Sequence, residues 1–201
     1  MSPEEARGIP LCRLAAGARA ALELVRAEDG GAPRRPTRVA VALEDDRLAI
    51  DFDCTDDDPW GTLEGRDAPL WTQEVVEVFL APGGATPREY FELEVSPRGA
   101  LFDARVRSPH GDRRELAVDP GWDCPGLAWG SGLRPGGWTA SLRLPLAALS
   151  ADGSIPTVWR VNFFRIERPR PGAPEFSAWS PTFVSPADFH RPASFGRLEL
   201  D

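Results

Sequence analysis

The 201-residue chain has no excess of basic residues, no long apolar run and almost no imidazole. Its 31 acidic and 23 basic residues leave a formal charge of -8. Binding to phosphate needs clustered Lys and Arg, so neither nucleic acid nor an anionic membrane surface is expected as a partner. Nothing in the chain is long and apolar enough to span a bilayer. The first thirty residues carry acidic side chains early and assemble no signal-like apolar stretch, which predicts a cytoplasmic protein. Cys12, Cys54 and Cys124 are odd in number and lack CxxC spacing. A disulfide framework or zinc site is therefore not indicated, reduced buried thiols are the favoured reading, and one cysteine pair stays open. Only His110 and His190 are available for acid–base chemistry, and no GxSxG segment supplies a nucleophile elbow. The expectation is a protein that is not an enzyme.

What is present is strand. The 21 prolines and 19 glycines fall between short alternating runs, the punctuation of a turn-rich all-β protein. Residues 37–43, a charged turn at 44–47, and the alternating Leu48, Ile50, Phe52 and Cys54 read as a hairpin. In 74–80, Val76, Val78 and Leu80 share one face while Val75, Glu77 and Phe79 share the other. Phe91, Leu93 and Val95 alternate with Tyr90, Glu92 and Glu94, a turn follows at Ser96–Gly99, and Phe102, Ala104 and Val106 resume the apolar face. Glu92 and Glu94 read as adjacent exposed acids on one strand face. Further strands are expected at 138–144, 158–164 and 195–200, with one or two short ones between His110 and Gly137 and a helical turn at PLAALS. Residues 15–25 are rich in helix formers but weakly capped, leaving helix, strand or coil open. About nine to eleven short strands without a helix-length amphipathic repeat predict an antiparallel β-sandwich of two sheets in one domain, 1–201, with residues 1–36 carrying the weakest pattern.

Two tryptophans stand beside polar strand-like segments, Trp71 in LWTQEVVEVFL and Trp179 in VNFFRIERPRPGAPEFSAWSPTF. An indole beside carboxylate, amide and guanidinium groups suits a sugar ring, whose C–H face stacks while its hydroxyls are held. In order, TRVAVALEDDRLAIDFDCTDDDPWGT, LWTQEVVEVFLAPGG, YFELEVSPRGALFDARV, GWTASLRLPLAAL, WRVNFFRIER and FSAWSPTFVSPADFHRPASFGRLEL resemble carbohydrate-binding module family 9, from about Thr37 to the C-terminus. The resemblance implies a β-sandwich of the DOMON-like group, whose members bind sugars or haem. It implies a clamp of Trp71 and Trp179 around a sugar, with Glu77, Arg98, Asn162 and Arg165 on its hydroxyls.

Glu77 lies on a mostly apolar face, where an ionised carboxylate needs a partner. A structural ion pair with Arg165 and direct ligand contact both remain open. For Asp51, Asp53, Asp56, Asp57 and Asp58, a solvated turn and a calcium site on Asp53, Asp56 and Asp58 both remain open; family members can carry structural calcium. The functional expectation is a non-catalytic module with a saccharide ligand, any glycoside hydrolase partner lying outside this chain. The alternatives are a haem-binding DOMON-like module, for which the only methionine is Met1, and a sandwich kept as an interaction domain after sugar binding was lost. The clamp makes a geometric demand: both indoles must flank one pocket containing Glu77, Asn162 and Arg165.

Overall fold

The period-two alternation becomes two stacked sheets over residues 8–201, the part of the chain that the computed structural model describes. The strands are β1 (Leu11–Leu14), β2 (Arg19–Glu23), β3 (Val25–Arg26), β4 (Thr37–Glu44), β5 (Arg47–Thr55), β6 (Val75–Pro82), β7 (Glu89–Val95), β8 (Leu101–Arg107), β9 (Ala117–Asp119), β10 (Ala128–Arg134), β11 (Gly137–Pro145), β12 (Val158–Glu167), β13 (Glu175–Ala178) and β14 (Gly196–Leu200). Among the described residues the only helical segments are three short 3-10 turns, one of them Leu146–Leu149 at the PLAALS stretch. The helix-former-rich 15–25 segment supplies β2, which pairs with β4 from Arg19↔Ala42 to Glu23↔Arg38. Met1, on which the haem alternative turned, lies outside the described residues.

The larger sheet runs β1-β14-β12-β6-β7-β8-β9, with β13 joining β12 and β3 joining β13. The smaller runs β10-β11-β5-β4-β2. All pairings are antiparallel except β1 with β14. Between the sheets, Val39, Ile50, Phe52 and Trp138 of the small sheet meet Val76, Val78, Leu80, Trp159 and Phe163 of the large one. Burying each such side chain contributes about 1.5–3 kcal/mol, so this layer supplies most of the drive to stack the sheets.

The large sheet is apolar on its outer face as well. Val75, Phe79, Ala104, Phe164 and Ile166 form a second cluster there, covered by Leu70, Phe189 and Phe195 from the connecting segments. The β6 sequence VVEVFLA is nearly continuously apolar, as expected of a strand covered on both faces. The connections between β5 and β6 and between β12 and β14 therefore fold back over this sheet, and the candidate site lies beneath them.

Candidate functional site

Strand register decides which polar residues meet on the outer face. Glu77 is the Cα partner of both Phe164 on β12 and Glu94 on β7, and Phe79 is the partner of both Asn162 and Glu92. Glu77, Glu92 and Glu94 thus lie on one face, and a carboxylate oxygen from each falls within 4.8 Å of the others. The sequence reading of Glu92 and Glu94 as exposed acids is corrected: all three glutamates are buried. The physical reason is the covering segments, which turn the polar face of β7 into an interior.

Glu77 and Glu92 line a cavity of about 390 Å³ walled by Trp71, Phe79, Phe102, Phe176 and Phe189, with Arg113, Arg168 and His190 at its polar margin; Glu94 lies behind this lining. Trp71 sits in a 3-10 turn, Leu70–Thr72, and is 43% exposed, its ring edge-on to Phe102 with centroids 5.2 Å apart. Arg168 ties that turn to the end of β12 through a 2.9 Å bond from its guanidinium to the Trp71 carbonyl. Gln73 steadies the preceding loop by accepting the Thr62 amide at 2.7 Å. Phe189 stacks on Phe164 at 4.1 Å and meets Phe176 edge-on at 5.9 Å, closing the opposite wall.

The electrostatics of the cavity are unusual. Four carboxylate oxygens, Glu77 Oε1, Glu92 Oε2 and both of Glu94, are buried without a hydrogen-bond partner. Burial, and then the charge of Glu92, hold the Glu77 carboxyl well above the usual range, against the pull of Arg113 and Arg168. Burial followed by repulsion from Glu77 and Glu92 does the same to Glu94. Burial also pushes Glu92 up to about 7, although the adjoining Glu94 carboxyl and the charge of Arg113 favour its ionised form. All three shifts favour the protonated forms, which limits the cost of placing three acids together. His190 is held neutral, pushed down to about 4 by burial and by Arg113, with its Nδ1 2.6 Å from the Tyr90 hydroxyl. Asp188 fixes this margin, accepting Arg113 at 2.8 Å and the His190 amide at 3.1 Å.

The six residues expected at the sugar do not meet. Trp71 and Glu77 line the same cavity. Trp179 does not: its ring packs on Phe163, 5.8 Å away, against the inter-sheet core, and a Cβ at Gly196 would overlap it. The expected Trp71–Trp179 clamp is thereby corrected, because Ala178, opposite Phe164, faces outward and Trp179, one residue on and bonded through its amide to the Phe163 carbonyl, faces inward. Arg165 lies one residue out of phase with Phe164 and so faces inward. It pairs with Asp56 at 2.6 Å and donates to Thr37 Oγ1 and the Thr55 carbonyl, not to Glu77. The expected Glu77–Arg165 pair fails for this reason of alternation. Asn162 shares the outer face but is fully buried, bonding the Ser180 carbonyl at 2.8 Å and its amide at 2.9 Å, and so acts as a strut for the loop after Trp179. Arg98 lines a different cleft, beside Trp129.

The calcium reading of Asp53, Asp56 and Asp58 is corrected too. Asp53 pairs with Arg134 on the exposed side of the small sheet, Asp58 pairs with Arg170 at 2.9 Å, and only Asp56 is buried. Asp56 gathers instead with Glu74 and Glu167. Arg165 already supplies a cation to that group, while burial and the neighbouring Asp56 raise Glu74 to about 8. Sequence reasoning missed Glu92, Phe102, Arg113, Arg168, Phe176 and Phe189. A usable signal was present for Glu92 and Phe102, since the hairpin register places both on the Glu77 face.

This architecture is the β-sandwich of carbohydrate-binding module family 9. A carbohydrate-binding module family 9 from Caldicellulosiruptor kristjanssonii, in complex with cellotriose, superposes over 96% of this chain and 94% of its own with a TM-score of 0.62 at 13% identity. Its glucose complex gives 0.60 at 12% identity over 96% of both chains. A Bacteroides uniformis protein whose description proposes carbohydrate binding aligns with a TM-score of 0.70 at 19% identity, over 92% of this chain and 86% of its own. In sequence, the chain is 28% identical over 182 residues to an extracellular protein of Arthroderma benhamiae, covering 83% of this chain and 79% of that one. The chain matches no protein-family model.

Proposed function

We propose that this chain is a non-catalytic saccharide-binding module whose outer-face cavity takes a sugar residue at the end of a glycan. The observation that carries the reading is an aromatic-walled cavity lined by Glu77 and Glu92, each with one buried carboxylate oxygen that has no hydrogen-bond partner. Such oxygens need donors, and a pyranose brings several hydroxyls to one small volume. Trp71 stacks on the sugar's C–H face, Glu77 and Glu92 accept from hydroxyls, and Arg113 and Arg168 donate to ring or hydroxyl oxygens. The same fold holds cellotriose and glucose in the two Caldicellulosiruptor complexes.

Binding is favoured over hydrolysis by the crowding of the acids. Carboxylate oxygens within 4.8 Å share protons among themselves, whereas glycosidases set their pair about 5–9.5 Å apart, astride the bond to be cut. A haem reading fits poorly: His190 is engaged by Tyr90, and His110 is exposed and beside Glu115. Any hydrolase working with this module belongs to another chain or segment. An extracellular relative and a glycan ligand favour a setting outside the cell over the cytoplasmic one read from sequence; fractionation of a culture into cells and medium decides it.

Titration of tryptophan emission with a panel of mono- and oligosaccharides tests the function. At least one glycan should saturate the signal, and Trp71→Ala should weaken it by about tenfold or more, roughly 1.4 kcal/mol. Absence of any saturable response from a folded protein refutes the reading and favours a sandwich kept as an interaction domain.

A further inference from the structure

The geometry points to a second saccharide site on the edge of the sandwich, in which the indole of Trp129 is the platform and the guanidinium of Arg98 the hydroxyl donor. It occupies a cleft of about 590 Å³ between β10, the loop of residues 61–66 and the β7–β8 turn. No lining residue is shared with the outer-face cavity.

Three features make the cleft a built surface. Trp129 is 41% exposed although it is held firmly: its Nε1 donates to the Gly99 carbonyl at 3.1 Å, and the Arg66 guanidinium lies 5.9 Å from its ring centroid. Arg66 is in turn locked by Asp103 at 2.6 and 2.8 Å and by Asp123 at 2.7 Å. A ring fixed before the ligand arrives loses little entropy on binding, and a part-exposed indole in polar surroundings suits the C–H face of a pyranose. Second, the Arg98 side chain makes no hydrogen bond or ion pair among the described residues, while its amide is anchored on Ser96 Oγ at 3.3 Å. Its five donors point from an ordered turn without a protein acceptor. Third, three of the lining residues, Gly61, Gly65 and Gly99, carry no side chain into the cleft. Gly65 and Gly99 take φ of +82° and +83°, which side chains disfavour, and a Cβ at Gly65 would meet nothing within 4 Å.

Charge selects the class of glycan. Arg66 is already offset by both Asp103 and Asp123, and Glu64 lines the cleft together with Arg98, so the surface carries no excess of positive charge. A neutral oligosaccharide fits, whereas a uronate or a phosphosugar would meet Glu64 and a protein of charge -8. Two separate sites would let one polysaccharide surface engage both, raising avidity without new contacts.

Calorimetric titration with neutral gluco-, xylo- and manno-oligosaccharides, from disaccharide to hexasaccharide, tests this site on four proteins: wild type, Trp71→Ala, Trp129→Ala and Arg98→Ala. Wild type should take up two equivalents. Trp71→Ala should keep the edge site alone, and Trp129→Ala should remove it, with a Kd rise of about tenfold or more. Arg98→Ala should raise that Kd about threefold to tenfold, and it stands in for Trp129→Ala should the latter fail to fold. Binding abolished by Trp71→Ala and untouched by both edge substitutions overturns the second site and leaves the outer-face reading standing. Binding abolished by Trp129→Ala and untouched by Trp71→Ala does the reverse. A wild-type protein that binds no panel glycan overturns both.

Discussion

Replacing Glu92 by glutamine should flatten the pH dependence of folding stability. Glu92 is 5% exposed, and burial raises its carboxyl from 4.5 to about 7. Between those values the folded chain holds a proton that the unfolded chain has released. The associated stability is therefore fully present below pH 4.5 and is lost as pH rises through about 7. At 1.36 kcal/mol per pH unit, that interval amounts to roughly 3 kcal/mol. His190 acts in the opposite sense: its folded value is lowered from 6.5 to about 4, so its stability contribution is lost as pH falls through that range. The two slopes oppose each other near pH 5 to 6 in wild type, and the difference between wild type and Glu92→Gln isolates the glutamate. Urea denaturation from pH 4.5 to about 8 measures it. The variant should gain roughly 3 kcal/mol on wild type across the series, since glutamine has no proton to lose and relieves the repulsion on Glu77 and Glu94. A difference that stays constant with pH would show that Glu92 is ionised in the folded protein throughout, and the account of the trio would be wrong.

Three further outcomes follow from the packing. Arg165→Met should cost about 3–5 kcal/mol by leaving buried Asp56 without its cation, while saccharide affinity stays unchanged because Arg165 faces the inner side. A matched loss of affinity in an intact fold would place Arg165 at the ligand. Gly196→Ala should cost about 1–3 kcal/mol and shift tryptophan emission, since the new methyl overlaps the Trp179 ring; unchanged emission and stability would contradict that contact. Tyr90→Phe should cost about 1–3 kcal/mol by removing the partner of His190 Nδ1, yet His190 should still titrate well below 6.5 by NMR because burial is the main cause of its shift.

The sandwich was legible because alternation is local. The β4–β5 hairpin, β6, β7, β8, β11 and β12 all fall where period-two patterns and turn residues place them. Face assignment within a strand was equally legible: Glu77 with Phe79, and Arg165 out of phase with Phe164, follow from counting by two. What counting does not give is which face becomes interior. Glu92 and Glu94 look like a solvated edge until the segments after β5 and β12 close over them, and those segments carry no periodicity to read. Trp179 shows the same boundary from the other side. A polar neighbourhood in sequence suggested a binding aromatic, yet Trp179 follows outward-facing Ala178 and so turns its ring to the inter-sheet core, where Gly196 makes room for it.

The three outer-face acids are hard to explain as structure. Register sets Glu77 directly opposite Glu94, so two carboxyls are buried side by side at a desolvation cost even where they keep their protons. The surrounding positions are Val75, Phe79, Phe102, Ala104 and Phe164, so leucine or methionine at 77, 92 and 94 would agree with everything around them. Two other buried acids have a direct cation, Asp56 in Arg165 and Asp103 in Arg66, while Glu74 beside Asp56 is likewise held up by burial. The trio has only Arg113 and Arg168 at its margin, and each is partly committed, to Asp188 and to the Trp71 carbonyl. On the proposed saccharide reading, a ligand's hydroxyls bring donors to the Glu77 and Glu92 oxygens, and stability given up on the free protein is regained on binding in proportion to the hydroxyls that reach them. On that reading Glu77 and Glu92 set the polarity required of the ligand, and Trp71, half exposed at the rim, sets the apolar face it must present.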